Sequence, residues 1–208
     1  MSVPEISFNV TVEDYLLVEE SSEERHEFLD GHRYPMISST YNHNVISLNI
    51  AAAFRSKLKD SGYLVFMNKF KVRIDDINCF YYPDVFIDCD PIASQSLFTK
   101  TPSVVVEVIS ESTSSIDTRE KLNNYRRIDS LNEYLVVHQE KMHVEQHKLV
   151  SGKDWYRQEF SSLEDCLILK VAPNQPIQLG MNEIYEEVEC DSSPCKAEQA
   201  EFDAVYGW

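Results

Sequence analysis

The segment Thr101-Pro102-Ser103-Val104-Val105-Val106-Glu107-Val108-Ile109 decides how the rest of the chain is read. Five of its residues, Val104 to Val106 and Val108-Ile109, are apolar at successive positions, so a strand formed here needs both faces covered. That places it deep in a sheet. Glu107 interrupts the run. A carboxylate at such a position faces several kcal/mol of desolvation unless something compensates it. Either it points to the polar end of the strand and pairs with an Arg or Lys, or it holds a metal ion.

Downstream, Asp117 with Glu120 forms a capping pair that opens a helix of about 117 to 128, and Tyr134 to Val137 returns as a strand beside the first. Met142 to Leu149 and Trp155 to Phe160, separated by Ser151-Gly152-Lys153, predict a hairpin at the sheet edge. Leu167 to Val171 adds one more strand and Asn182 to Val188 a closing helix. From Cys190 the composition turns to Asp, Ser, Glu and Ala, so the chain divides into one domain over 1–189 and a polar acidic tail over 190–208.

Upstream, Tyr63 to Ile74 and Phe80 to Cys89 are rich in β-branched and aromatic residues and turn through Asp75-Asp76-Ile77-Asn78, which predicts another hairpin. Val45, Ile46, Leu48, Ile50, Ala53, Phe54 and Leu58 recur at helical spacing, so a helix covers about 41 to 60 and ends before Gly62. His26 to Leu29 and His32 to Ile37 flank Asp30-Gly31, a pair suited to the positive φ angles of a type I′ turn. Thr11 and Asp14 cap a short helix near 11 to 20. The sum is an α/β domain, a mixed β-sheet flanked by helices with added β-hairpins.

The chain has 208 residues, 43% of them apolar and 26% charged, which fits one folded domain and excludes global disorder. No apolar run approaches the roughly 20 residues of a membrane helix, and the N-terminus lacks an export signal. The net charge of −16 disfavours a general nucleic-acid coating protein, although a bound divalent cation or a basic stripe can reverse the field over one cleft. Five cysteines are odd in number and sparse, so a disulfide framework is not expected and a cytoplasmic location is.

The chemistry gathers around Glu107. Asp84 follows Pro83 inside the apolar run Tyr81 to Ile87, so a second acid can lie on a neighbouring strand and face the same side. Two such carboxylates repel each other unless a cation holds them, and oxygen-only ligands favour magnesium or manganese. Lys121 can lend an amine from the helix that follows, with Tyr125 one turn further on the same side and a candidate substrate contact. Lys69, Lys71 and Arg73 alternate with apolar residues and form either a solvated edge or a stripe that touches phosphates. His143 and His147 share a face but lack a third ligand nearby in the sequence, so they read as surface histidines. Ser110, Ser112 and Thr113 have no histidine placed to activate them and read as loop caps.

Pro83-Asp84, Val106-Glu107-Val108-Ile109-Ser110, Ser112-Thr113, Asp117, Lys121, Tyr125 and Glu133-Tyr134 together resemble the "putative restriction endonuclease" domain family of the PD-(D/E)XK nuclease superfamily. Glu27-Phe28-Leu29-Asp30-Gly31 and His43 fall where that family carries a Glu-x-x-Asp-Gly hairpin and a helix-starting histidine. The resemblance spans about residues 8 to 188. It implies a restriction-endonuclease-like core and hydrolysis of DNA phosphodiester bonds with Mg2+ or Mn2+. Asp84, Glu107 and Glu27 would be the metal ligands, and Lys121 would orient or activate the attacking water. The superfamily's strand lysine would stand at position 109, where this chain has isoleucine; its amine is moved to the helix. The segment Pro35 to Tyr41 is bulkier than the family's small, Pro-rich one. Folds of this type often pair, so a homodimer is implied by analogy. The rival reading is a catalytically inactive domain of the same fold that binds nucleic acid or a protein partner.

Overall fold

The computed structural model describes residues 9–36, 39–110, 115–172 and 175–190, with only the backbone described for 115–117. Among the described residues, four helices and thirteen strands follow one another. They are α1 (Val12–Ser21), β1 (His26–Leu29), β2 (His32–Pro35), α2 (Tyr41–Lys57), β3 (Leu64–Met67), β4 (Lys71–Ile74), β5 (Cys79–Tyr81), β6 (Val85–Asp88), β7 (Phe98–Thr99) and β8 (Pro102–Ile109). Then come α3 (Ser115–Tyr125), β9 (Glu133–His138), β10 (Val144–Ser151), β11 (Asp154–Phe160), β12 (Cys166–Ala172), β13 (Gln175–Gly180) and α4 (Met181–Ile184).

The strands form a six-stranded sheet in the order β11-β10-β9-β8-β6-β3, a five-stranded sheet β2-β1-β5-β4-β7, and a separate ribbon β12-β13. In the larger sheet β8 runs parallel to β9 through the α3 crossover and antiparallel to β6, so the sheet is mixed. The valine-rich strand is interior, as its two-sided apolar pattern requires. Val104, Val106 and Val108 pack with Ile46, Ile50 and Phe54 of α2 and with the β12-β13 ribbon. Val105 faces the other way, into a core with Leu122 and Tyr125 of α3, Tyr134, Val136, and Val72, Ile74 and Tyr81 of the smaller sheet. A third cluster, Tyr15, Phe28 and Phe80, sits between α1 and the outer face of that smaller sheet.

Local chemistry fixes most boundaries. Thr11 and Thr40 cap α1 and α2, their side chains accepting from the N–H of Asp14 and of His43. Asp30 and Gly31 have φ of 45° and 86°, the sign pattern of a type I′ turn, and join β1 to β2. Residues 37–38 lie outside the described part, so the second strand is followed only to Pro35.

Several expectations need correction. The runs 63–74 and 80–89 do not form one flat hairpin. Met67 pairs opposite Val85 in the larger sheet, while Val72 pairs opposite Tyr81 in the smaller one. Between them the ribbon bends, with Asn68 at φ 54° and its N–H donating to the Asp84 carbonyl at 3.0 Å. Asn tolerates the left-handed region, and Pro83 has no N–H for the ladder, so the two residues release the ribbon where it changes sheets. Helix α3 starts at Ser115, which puts Asp117 in its first turn rather than at the cap; Ser112 and Thr113 lie outside the described residues. Strand β13 occupies a stretch for which the sequence suggests no element, and the closing helix is Met181–Ile184 rather than Asn182 to Val188. Cys195 and the rest of the tail beyond position 190 are likewise outside the described part. Among the described residues no helix is long and apolar enough to cross a membrane, and Cys79, Cys89, Cys166 and Cys190 are free thiols.

Candidate active site

The ribbon's bend, the centre of the larger sheet, the first strand and α3 converge on one buried cluster. Val85 lies opposite Val106, so Asp84 is set beside Glu107 across the β6-β8 pair. The Asp84 Oδ2 accepts from the Val108 N–H at 2.7 Å, and its Oδ1 lies 3.1 Å from Nε2 of His43, in the first turn of α2. Alternation along β8 turns Glu107 toward α3 with Val105. Alternation along β1 sends Phe28 toward α1 and leaves Glu27 on the opposite face.

Lys121 stands between the two glutamates. Its Nζ is 2.7 Å from Glu27 Oε1 and 3.6 Å from Glu107 Oε1. One turn on, the Tyr125 hydroxyl donates to Glu107 Oε1 at 3.1 Å, which is the i, i+4 reach of one helix face. The Lys121 ammonium also lies 5.2 Å from the centre of the Tyr81 ring, whose hydroxyl accepts from Asn124 Nδ2 at 2.8 Å. Glu107 and Asp84 are only 7% and 8% exposed.

The electrostatics follow from that crowding. Burial pushes Glu107 up to about 8; Lys121 opposes the rise, Asp84 and Glu27 add to it, and the Tyr125 hydrogen bond restrains it. Burial also works against the charge on Lys121, but Glu107 and Glu27 outweigh it and hold the ammonium protonated well above its ordinary range. For His43 burial is again opposed, by the hydrogen bond to Asp84 and then by its charge, and the imidazole titrates above its usual value. Burial, then Glu107 and Glu27, keep the Tyr125 phenol from ionising.

Asp84, Glu107, Glu27, Lys121 and Tyr125 are thus brought together, and the basic stripe is not part of the group. Lys69 is exposed and precedes β4, so three alternating cations on one strand do not exist. Lys71 is buried against the Tyr82 ring, 5.4 Å from its centre, and burial lowers its pKa. Arg73 pairs with Asp75 at 2.6 Å and lies over Phe80 and Phe98. These partners belong to the α1 side of the smaller sheet, whereas Val72 and Ile74 face α3. In the sequence Tyr81 reads only as the start of an apolar run and Asn124 has no assigned role, while His43 is reached only through the family pattern. The helical spacing of Lys121, Asn124 and Tyr125, three and four residues apart, was the available signal for Asn124.

The donor set suits a hard divalent cation. Glu27, Asp84 and Glu107 do not all bring ligand atoms within 4.8 Å of one another; among the described residues only the imidazole nitrogens of His138 and His143 and a carboxylate oxygen of Glu145 do so. Mg2+ asks for less than that, since it is held by one or two carboxylates and keeps waters or substrate oxygens at its other positions. Asp84 and Glu107 could supply such a pair; burial raises the pKa of Glu107 and the neighbouring Asp84 and Glu27 add to the rise, conditions that a cation would relieve.

Fold and cluster together define a mixed α/β protein with a buried acid–lysine centre. The model of the Uma2 family, described as "Putative restriction endonuclease", matches residues 12–180, and the chain belongs to that family. Two uncharacterised proteins of Synechocystis sp. are similar to it. The protein sll1609 is 30% identical over 153 residues, which covers 70% of this chain and 84% of that protein. The protein slr1290 is 32% identical over 144 residues, 69% and 76% of the two chains. The fold matches the crystal structure of a "putative nuclease belonging to DUF820" from Anabaena variabilis with a TM-score of 0.68. That match has 11% identity and covers 85% of this chain and 97% of the other.

Proposed function

We propose that this protein is a metal-dependent endonuclease that hydrolyses phosphodiester bonds in DNA, with a restriction-endonuclease-like core. One observation carries the reading: the Lys121 ammonium lies 2.7 Å from Glu27 and 3.6 Å from Glu107, beside Asp84 on the adjoining strand. Membership of the Uma2 family supports it.

Asp84 and Glu107 would hold Mg2+ or Mn2+, with Glu27 binding directly or through water. When bound, the cation supplies charge neutralisation at the phosphate and lowers the pKa of water near it. The chain's own groups have separate tasks. Lys121 is held protonated, so it acts as a fixed positive charge and hydrogen-bond donor that orients the attacking water and the phosphate, rather than as a general base. Glu27 accepts from the ammonium and fixes its position. Tyr125 donates to Glu107 and sets the carboxylate's rotamer, while His43 and the Val108 N–H grip Asp84 from two sides. A bound cation would offset the three clustered acids and let an anionic substrate approach a protein whose overall charge is −16.

Purified protein incubated with supercoiled plasmid and with single-stranded DNA in Mn2+ tests the proposal. Cleavage by the wild type that is lost in Lys121→Ala and Asp84→Ala is the expected result. Intact DNA under every condition, or equal cleavage by the variants, would overturn it and favour a binding domain of the same fold.

A further inference from the structure

A second cluster lies on the same face of the six-stranded sheet, two strands from Glu107. Strands β9 and β10 pair with Val137 opposite Val144 and Val136 opposite Glu145. The pairing continues into the turn, where the His138 N–H donates to the His143 carbonyl at 3.0 Å. Alternation therefore puts His138, His143 and Glu145 on one face. The Nε2 atoms of His138 and His143 lie 3.9 and 4.0 Å from the same Glu145 oxygen, Oε1.

We propose that His138, His143 and Glu145 form a binding site for a transition metal of the zinc class, separate from the carboxylate centre. Ligand atoms around a tetrahedral zinc stand about 3.3 Å apart, given bonds of about 2.0–2.1 Å. Each pair with Glu145 needs to close by well under an ångström, within the reach of small side-chain rotations. Two imidazoles and one carboxylate with an open fourth position is a donor set for zinc, cobalt, nickel or copper and a poor one for magnesium.

Three further features favour a built site over incidental surface histidines. His138 is half-buried, and its two ring nitrogens are shielded from solvent without a partner at hydrogen-bond distance among the described residues, Nε2 lying 3.9 Å from Glu145 Oε1, an outlay that a metal would recover. Glu145 has its other oxygen, Oε2, held by Arg157 Nε at 3.0 Å and near His147 Nε2 at 3.6 Å, which aims Oε1 at the two imidazoles. The turn itself is clamped by Tyr185. Its hydroxyl accepts from the His143 N–H at 3.1 Å and lies 2.8 Å from the His138 carbonyl and 3.0 Å from that of His143.

The inference is independent of DNA cleavage and is tested without it. Metal-free protein is titrated with Zn2+, and with Co2+ read by its visible tetrahedral bands, in excess Mg2+ to occupy the carboxylate centre. One saturable equivalent is expected in the wild type and in Asp84→Asn. It should weaken at least about tenfold in Glu145→Gln and vanish in His143→Ala, with Zn2+ raising the melting temperature of the wild type and of Asp84→Asn and leaving that of His143→Ala unchanged. His143 and Glu145 are chosen because they are less buried than His138, and melting curves without metal report whether each variant is folded. Absence of a saturable equivalent in the wild type, or wild-type binding in folded His143→Ala and Glu145→Gln, overturns the proposal.

Discussion

Glu107 and Glu133 sit on neighbouring parallel strands, and both are buried, yet their surroundings could hardly differ more. Glu133 has a donor for each oxygen: the Lys170 N–H at 2.8 Å on Oε1 and the Gln146 amide at 3.0 Å on Oε2, with Lys148 at 3.8 Å. Its neighbours are backbone, an amide and a half-exposed lysine. Glu107 has one phenol and a lysine that it shares with Glu27, and a second acid, Asp84, beside it. Burial raises the pKa of both, but only at Glu107 do other acids push the same way. A buried carboxylate with its own private donors stitches two layers together. One that competes with other acids for a single cation is suited to receive another positive charge.

The comparison can be broken most directly through the two lysines. Lys121→Ala should reduce DNA cleavage by about 10³-fold in a plasmid-nicking assay, the scale of losing a fixed charge at a developing anion. Lys148→Ala should leave the rate unchanged, and equal losses would erase the distinction. For folding the order reverses. Glu133→Ala strands a backbone N–H and a buried amide and should cost about 3 kcal/mol in urea denaturation, whereas Glu107→Gln, which keeps the shape and removes the ability to ionise, should cost far less.

Acidity sharpens the contrast further. Between the ordinary 4.5 and about 8, metal-free native protein keeps a proton on Glu107 that the unfolded chain has released. Stability contributed by that proton is therefore present at low pH and lost as pH rises through this window. The melting temperature of metal-free protein should fall from pH 5 to 8, and the fall should shrink in Glu107→Gln, leaving the smaller part due to Glu133. Tyr125→Phe removes the donor that restrains Glu107, so the same decline should extend to higher pH and the variant should lose about 1 kcal/mol. Smallest of all, Lys148→Ala should alter stability by less than about 1 kcal/mol, since its partner is already served by two closer donors.

Much of this was legible in the chain itself. Five adjacent apolar residues around Glu107 can only be covered in a sheet interior, and the Asp30-Gly31 turn fixes β1, hence Glu27. The α3 register puts Lys121 and Tyr125 on one side by spacing alone. What escaped needed pairing information. Asn68 and Pro83 are each breakers of a strand, but only the register shows that Asn68 stands opposite Asp84, next to Pro83, where one ribbon passes into two sheets. For β13, Pro176 and Gln175 mask an alternation carried by just Ile177 and Leu179. Lys71 and Arg73 read as a basic face because the sequence does not show that the far side of that strand is roofed by α1. The histidines at 138 and 143 stand on either side of a turn, so their meeting depends on a hairpin register that sequence spacing did not reveal.

The kink at Asn68 and Asp84 has a mechanical outcome. Glu27 belongs to one sheet and Glu107 to the other, with Asp84 at the corner between them, so the gap between the outer acids is the opening of a jaw whose hinge is that corner. A tilt of one sheet against the other would change that aperture while each ladder of strands stayed whole, and the Lys121 side chain, reaching from the crossover helix to both outer acids, is the strut that spans it.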